Sequence, residues 1–204
     1  MKKYITLFIL SLFCFTSCAT PPSENTQNNT ESNTNDITEA DIKENTQEDA
    51  TEQTAVTDEN GTTYTKSFGS YTVPTGWIES STHSKADKFF YLLEGTEEET
   101  LPNNISINMG TNKYSADDHI SFRQAIVNQL VHQLPKGTSL NGSGSFTANE
   151  YVLYTFTFSI TEDDMTLNAT QYYIVGDHKF VMVYESVYDG NTEEVDAIAK
   201  NIVD

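Results

Sequence analysis

The sequence predicts an α+β fold, a three-layer α/β/α sandwich on a mainly antiparallel central sheet of about six to seven strands with two principal helices. Three observations lead there. The apolar runs are joined by connections of hairpin length, which require antiparallel pairing. Several of these runs are apolar on both faces, so the sheet needs helical cover on both sides. The apolar spacing switches from every second residue to every third or fourth only over 116–134 and again near the C-terminal end.

The chain opens with Lys2 and Lys3, an apolar run over 5–15, and then Thr16-Ser17-Cys18. A positive end, a short apolar stretch and small residues before a cysteine mark an export signal of the lipoprotein kind, with residues 1–17 as the leader. The run is far shorter than the roughly 20 residues of a spanning helix. Cys18 is therefore the expected lipid-attachment site. Two acyl chains on one residue, at about 0.8 kcal/mol per buried methylene, suffice for stable anchoring. The expected location is the extracytoplasmic face of a bacterial cell membrane. The two cysteines are Cys14, inside this leader, and Cys18, the lipid-attachment residue, which leaves the exported body no free thiol and excludes disulfides, thiolate catalysis and Cys-ligated zinc there.

The 204 residues carry 30 acidic and 11 Lys or Arg side chains, a net charge of −19. Such a surface repels phosphates, so nucleic acid is excluded as a partner. Residues 18–60 read as the lipidated cysteine followed by a disordered acidic tether, because Thr, Asn, Glu, Asp, Gln and Ser dominate and few apolar side chains are present to offset the ordering entropy. Self-repulsion extends such a chain to roughly 35 Å or more.

Residues 61–204 read as one globular domain, long enough to bury about 70% of its unfolded surface. Two short strands are expected over 64–68 and 71–73, stopped by Pro74-Thr75-Gly76. Residues 88–93 are apolar on both faces (Phe89 and Tyr91, Phe90 and Leu92) and read as a central strand. Over 104–109, Ile105, Ile107 and Met109 alternate with Asn104, Ser106 and Asn108, which reads as a strand with one buried face.

A helix is expected over 116–134, with Ile120, Arg123, Ile126, Val127, Leu130, Val131 and Leu134 at helical spacing, Ser115 as N-cap and Pro135-Lys136-Gly137 as the stop. The stretch Asn141-Gly142-Ser143-Gly144-Ser145 reads as a flexible connection. It lacks the Lys-Ser/Thr and helix of a phosphate cradle and the Gly-x-Ser-x-Gly order of a hydrolase elbow. A meander follows over 146–148, 151–160, 165–175 and 179–187. In it Val152, Tyr154, Phe156, Phe158 and Ile160 share a face, and Gly176-Asp177 turns the last hairpin. Thr192 is expected to cap a closing helix with Val195, Ile198, Ala199 and Ile202 as its buried stripe, and Glu193 and Glu194 suit its dipole.

The run Phe68-Gly69-Ser70-Tyr71-Thr72-Val73-Pro74-Thr75-Gly76-Trp77 resembles the aromatic strand and Pro-x-Gly-Trp turn of the PsbP-like family, whose three-layer sandwich is shared with Mog-type domains and with many bacterial lipoproteins. Gln171-Tyr172-Tyr173-Ile174, Phe180-Val181-Met182-Val183-Tyr184 and the closing helix support it. The resemblance implies the fold. It brings no catalytic residue and no photosystem role.

Trp77, the single tryptophan, is the candidate ligand-binding residue, set beside a structural role as a plug at the core edge. His83, His119, His132 and His178 lack metal-ligand spacing, so no metal site and no cofactor is expected. Asp117-Asp118, Glu97-Glu98-Glu99 and Glu162-Asp163-Asp164 offer oxygen ligands but not the order of a calcium loop. The leading functional expectation is a non-enzymatic, lipid-anchored binding or accessory module, held to the membrane through Cys18 and facing an unidentified protein or cell-envelope partner. Weak divalent-cation or small-ligand binding is the first alternative, and a hydrolase with dispersed catalytic residues the second.

Overall fold

The computed structural model describes residues 54–204, so Cys18, the leader and most of the expected tether lie outside the described residues. A three-stranded meander comes first, with β1 Thr54–Asp58, β2 Gly61–Lys66 and β3 Gly69–Pro74 in the order β1-β2-β3. Next come β4 Trp77–Glu79, β5 Lys88–Leu93 and β6 Asn104–Thr111. A 3-10 turn, Ala116–Asp118, leads into α1 His119–Gln133. The chain then runs through β7 Leu140–Phe146, β8 Val152–Glu162, β9 Met165–Gly176 and β10 Lys179–Val187 and closes with α2 Thr192–Val203.

The second sheet has seven strands in the order β4-β5-β6-β10-β9-β8-β7, antiparallel at every pairing. Helix α1 therefore carries the chain from β6 to the far edge, and the meander returns until β10 lies beside β6. The register Val183↔Ile107 and Val183↔Tyr172 places β6, β10 and β9 side by side through the centre.

Period-two alternation in these strands feeds two cores, one on each face. On one face, Phe122, Ile126 and Leu130 of α1 pack with Tyr154, Phe156 and Phe158 of β8, Tyr173 of β9 and Phe180 of β10. On the other, Val195, Ile198, Ala199 and Val203 of α2 pack with Ile105, Ile107, Tyr172 and Val183. Tyr71 and Val73 of β3 join this second core, so the small sheet shares the cover with α2. The layers are thus α1, the seven-stranded sheet, and α2 together with a small sheet, where helices alone were expected.

The two sheets are joined by buried and part-buried polar contacts. The Tyr71 and Tyr91 hydroxyls are hydrogen-bonded at 2.6 Å. Lys66 Nζ lies 3.4 Å from Glu79 Oε2 and 4.0 Å from the centre of the Phe89 ring. Gly61 sits where the small sheet closes, at φ 144°, and a Cβ there would fall 2.1 Å from the Val73 carbonyl oxygen. Only glycine fits that approach.

Several local expectations are corrected. Strand β1 occupies 54–58, inside the stretch assigned to the tether; all five of its side chains are exposed, so it left no burial pattern in the sequence. Cross-strand hydroxyl contacts such as Thr57–Thr62 at 3.0 Å and Thr63–Thr72 at 2.9 Å run across this sheet. Strand β4 was not foreseen. Strand β5 is next to the edge, not central, and β6 buries Asn104 and Ser106 along with its isoleucines.

Residues 141–145 form most of β7, not a flexible connection. Gly142 and Gly144 pair with Phe156 and Tyr154 of β8, whose rings lie 3.1 Å from where each glycine Cβ would be. The aromatic rings cover the glycines, which explains why a Gly-Ser tract is a strand here. In α1 the buried stripe is Phe122, Ile126 and Leu130, while Ile120 and Val131 are exposed. The Phe122 ring decides the rotation, packing 5.5 Å from Phe180 and 5.8 Å from Tyr173. Neither expected N-cap makes a side-chain cap bond. Ser115 precedes the 3-10 turn, and Asn191, not Thr192, holds the cap position of α2.

Candidate functional site

Trp77 lies on the wall of a cleft of about 510 Å³ at one end of the large sheet. The Pro74-Thr75-Gly76 turn delivers it as the first residue of β4, opposite Leu93. Leu93 and the loop after β5 contribute Thr96, Glu99, Leu101 and Asn103, and the β10–α2 loop contributes Tyr188, Asp189 and Asn191. Glu194 and Val195 of α2 close the wall. Two bonds fix these loops. The Tyr188 N–H donates to Asn103 Oδ1 at 2.8 Å, and the Asn191 N–H donates to Asp189 Oδ1 at 2.8 Å. Hydrogen bonds from the Asn103 side chain and the Asn191 backbone hold the Asp189 carboxyl below its ordinary range.

Trp77 is buried in the second core, and its indole Nε1 has no hydrogen-bond partner among the described residues. A buried donor left unpaired costs about 1–3 kcal/mol, so this atom is a point of unmet bonding capacity within the second core. Trp77 is thus a core residue that also borders the cleft. Glu99 is the member of the Glu97-Glu98-Glu99 run that reaches this wall.

A second concavity, about 330 Å³, opens on the α2 face of the sheet. Ile107, Met109, Ile174, Val181 and Val183 form its apolar floor, Phe68 and Ile202 flank it, and Lys179 and Asp204 bring opposite charges to its lining. Tyr151, also in the lining, is exposed, as is Phe146 on the same β7–β8 hairpin.

Beneath α2 lies Glu185, which the sequence reading did not single out. It is 2% exposed, and its Oε2 has no hydrogen-bond partner among the described residues. Burial is the main cause that pushes its pKa up to about 8; the Asp196 carboxyl adds to the rise, and the Thr170 hydroxyl and Lys200 ammonium oppose it. At neutral pH the group is mainly a neutral carboxylic acid. One signal was available in the sequence: Glu185 interrupts the apolar alternation of Val181, Val183 and Val187 on one face of β10.

The other candidate residues are dispersed. His119 Nδ1 meets the Tyr154 hydroxyl at 2.7 Å, His83 Nδ1 meets Ser80 Oγ at 2.9 Å, and His132 Nδ1 donates to the Asn128 carbonyl at 2.6 Å. His178 occupies the β9–β10 turn at φ 55°. Asp117 and Asp118 lie on the 3-10 turn, and Asp163 and Asp164 form the tip between β8 and β9. Among the described residues, no three His, Cys, Asp or Glu side chains gather closely enough to hold a metal ion. No described helix is long and apolar enough to cross a membrane.

Neither a family model nor a curated protein matches the chain. Solved structures do. LpqN of Mycobacterium tuberculosis, described as involved in cell envelope biogenesis, is similar with a TM-score of 0.50 at 15% identity, over 74% of this chain and 87% of LpqN. The cyanobacterial PsbP of Synechocystis sp. PCC 6803 matches with a TM-score of 0.42 at 13% identity, over 74% of this chain and 88% of that one. The Ran-binding protein Mog1p of Saccharomyces cerevisiae matches with a TM-score of 0.40 at 16% identity, over 74% and 85%. At these identities the likeness concerns the fold alone. With its seven-stranded antiparallel sheet between α1 on one face and α2 with the small sheet on the other, the chain has the three-layer α+β sandwich fold that the PsbP/Mog resemblance implied.

Proposed function

We propose that this chain is a bacterial lipoprotein whose Cys18 carries the lipid that holds it to the extracytoplasmic face of the cell membrane, and that its PsbP/Mog-like domain serves there as a non-enzymatic binding or accessory module. Residues 1–17 are the leader in this reading, and residues 18–53 connect the lipid to the described domain. The observation that carries the location is the order Lys2-Lys3, apolar run, Thr16-Ser17-Cys18. The fold shared with LpqN, a protein described as involved in cell envelope biogenesis, supports an envelope role. A binding role is supported by the Trp77 cleft, which has three carboxylates and an apolar stretch of Leu93, Leu101 and Val195 on its wall.

The test is made in a bacterial host, with radiolabelled palmitate and membrane fractionation. The parent chain is expected to take up label and sediment with membranes, and Cys18→Ser to lose both. Label retained by the serine variant, or parent protein in the cytosolic fraction with its leader intact, refutes the anchor. For the module, cross-linking on intact cells is expected to recover a defined partner. Substrate turnover by the purified chain with no partner recovered refutes the non-enzymatic reading.

A further inference from the structure

Among the described residues β7 pairs only with β8, so half of its backbone N–H and C=O groups point away from the sheet. Its register against β8 is unbroken, and Leu140–Phe146 includes no proline and no charged side chain that would turn a second strand away. At the opposite edge β4 has three residues, too few for a comparable ladder.

The seven residues of β7 have the same character read in either direction. Leu140 and Phe146 are apolar ends, Asn141 and Ser145 are polar, Gly142 and Gly144 follow, and Ser143 is the centre. A two-fold contact presents the same patch from both molecules, so it requires this kind of self-complementarity. With the axis at Ser143, Leu140 of each copy opposes Phe146 of the other, Asn141 opposes Ser145, and Gly142 opposes Gly144. Opposed residues are an even number of positions apart, so they share a face of the sheet, and the backbone groups left free by β8 in one copy meet the free groups of the other. The Phe146 ring, 70% exposed, then gains an apolar neighbour on the α1 side of the sheet.

Charge fixes the direction. Lys136 and Glu150 are exposed, each lies four positions beyond an end of β7, and no charged residue stands between them. Antiparallel pairing brings the Lys136 end of each copy to the Glu150 end of the other, whereas parallel pairing sets like charges together.

We propose that two copies of this chain associate edge to edge through β7, antiparallel about a two-fold axis at Ser143, so that their large sheets become continuous. The pairing goes beyond the anchored-module reading and does not need the lipid.

The test is thiol bridging of the purified full chain in a mild non-ionic detergent at about 0.15 M salt. There the Debye length of about 8 Å screens the repulsion between two chains but leaves adjacent charges in force. The parent chain gives the background from Cys14 and Cys18. Ser143→Cys is treated with a bridging reagent about 5 Å long, the separation of directly opposed side chains. It is expected to yield on the order of ten-fold more linked dimer than Asn141→Cys or Ser145→Cys alone, whose thiols are roughly 13 Å apart in this register. Mixing Asn141→Cys with Ser145→Cys is expected to restore linking. Lys136→Glu, added to Ser143→Cys, is expected to lower the yield roughly two- to five-fold, and Lys136→Glu/Glu150→Lys to recover it. Circular dichroism confirms that each variant is folded. Equal yields from the three single-cysteine variants reveal chance collision and overturn the proposal. So does a yield no higher than that of the parent at Ser143→Cys, and so does self-linking that is strongest at Asn141→Cys or Ser145→Cys. Palmitate labelling judges the anchor separately, so the two fail in distinguishable ways.

Discussion

Glu185 stands where the alternation of β10 calls for an apolar side chain, between Val183 and Val187 and beneath α2. A carboxyl group there is tolerable because it keeps its proton, with a pKa of about 8 in place of 4.5. An acid whose pKa is raised on folding binds protons more tightly in the folded chain, so its effect is most favourable below the unfolded value and declines as pH climbs towards 8. Each unit of the rise corresponds to about 1.4 kcal/mol. Glu185→Gln is uncharged at every pH. The melting temperature of the parent is therefore expected to fall relative to Glu185→Gln between pH 5 and pH 8, as measured by thermal denaturation at matched salt. Parallel melting curves across that interval would contradict the burial argument. Asp196, Lys200 and Tyr172 are the titratable neighbours of Glu185, and both chains retain them. The residue scale is also where the sequence was hardest to read. Trp77 could be singled out because it is unique and follows a Pro-x-Gly turn, but the cleft it borders is built from loops contributed by 96–103 and 188–191, which no local pattern brings together.

The elements show why patterning succeeds for strands and loses the rotation of a helix. Strand alternation leaves two choices, and long strands such as β8, β9 and β10 settle them with many residues. Strand β10 matches its expected bounds for that reason. Helix α1 offers two overlapping apolar stripes, and spacing alone does not choose between Ile120-Val127-Val131 and Phe122-Ile126-Leu130. The choice is made by rings on the sheet. Phe122→Ala removes a side chain that is 2% exposed and packs against Tyr173 and Phe180. The expected loss is about 3–5 kcal/mol. Ile120→Ala, on the exposed side, is expected to stay within about 0.5 kcal/mol. Urea unfolding of both variants checks the assignment, and equal losses would reverse it. Strand β7 was hidden for a different reason. Gly142 and Gly144 have poor intrinsic strand preference, and their compensation lies on the neighbouring strand, in Phe156 and Tyr154.

At the scale of the molecule, the sandwich could be predicted from strands with two apolar faces, because only cover on both sides accounts for them. The composition of the second layer could not. Strands β2 and β3 were expected as strands, but that they leave the main sheet and share the α2 layer follows from Tyr71, Val73 and the part-buried Lys66–Glu79 pair. Strand β1 adds a fully exposed edge to that small sheet. A chain beginning at Gly61 is therefore expected to fold, losing no more than about 1–2 kcal/mol relative to one beginning at Thr54, since no apolar side chain leaves the core. Matched urea titrations of the two chains measure the difference; failure of the shorter one to fold would make β1 part of the structural minimum.

The outermost strand of the large sheet, β7, pairs among the described residues only with β8, carries no charged side chain over Leu140–Phe146, and ends in a phenylalanine that is 70% exposed. An unguarded margin of that kind is a template onto which a foreign strand can zip. The net charge of −19 supplies the opposing force, since identical copies repel before their margins meet. Colloidal behaviour is thereby tied to ionic strength: brine that screens the repulsion removes the main barrier to fibril-like stacking along β7.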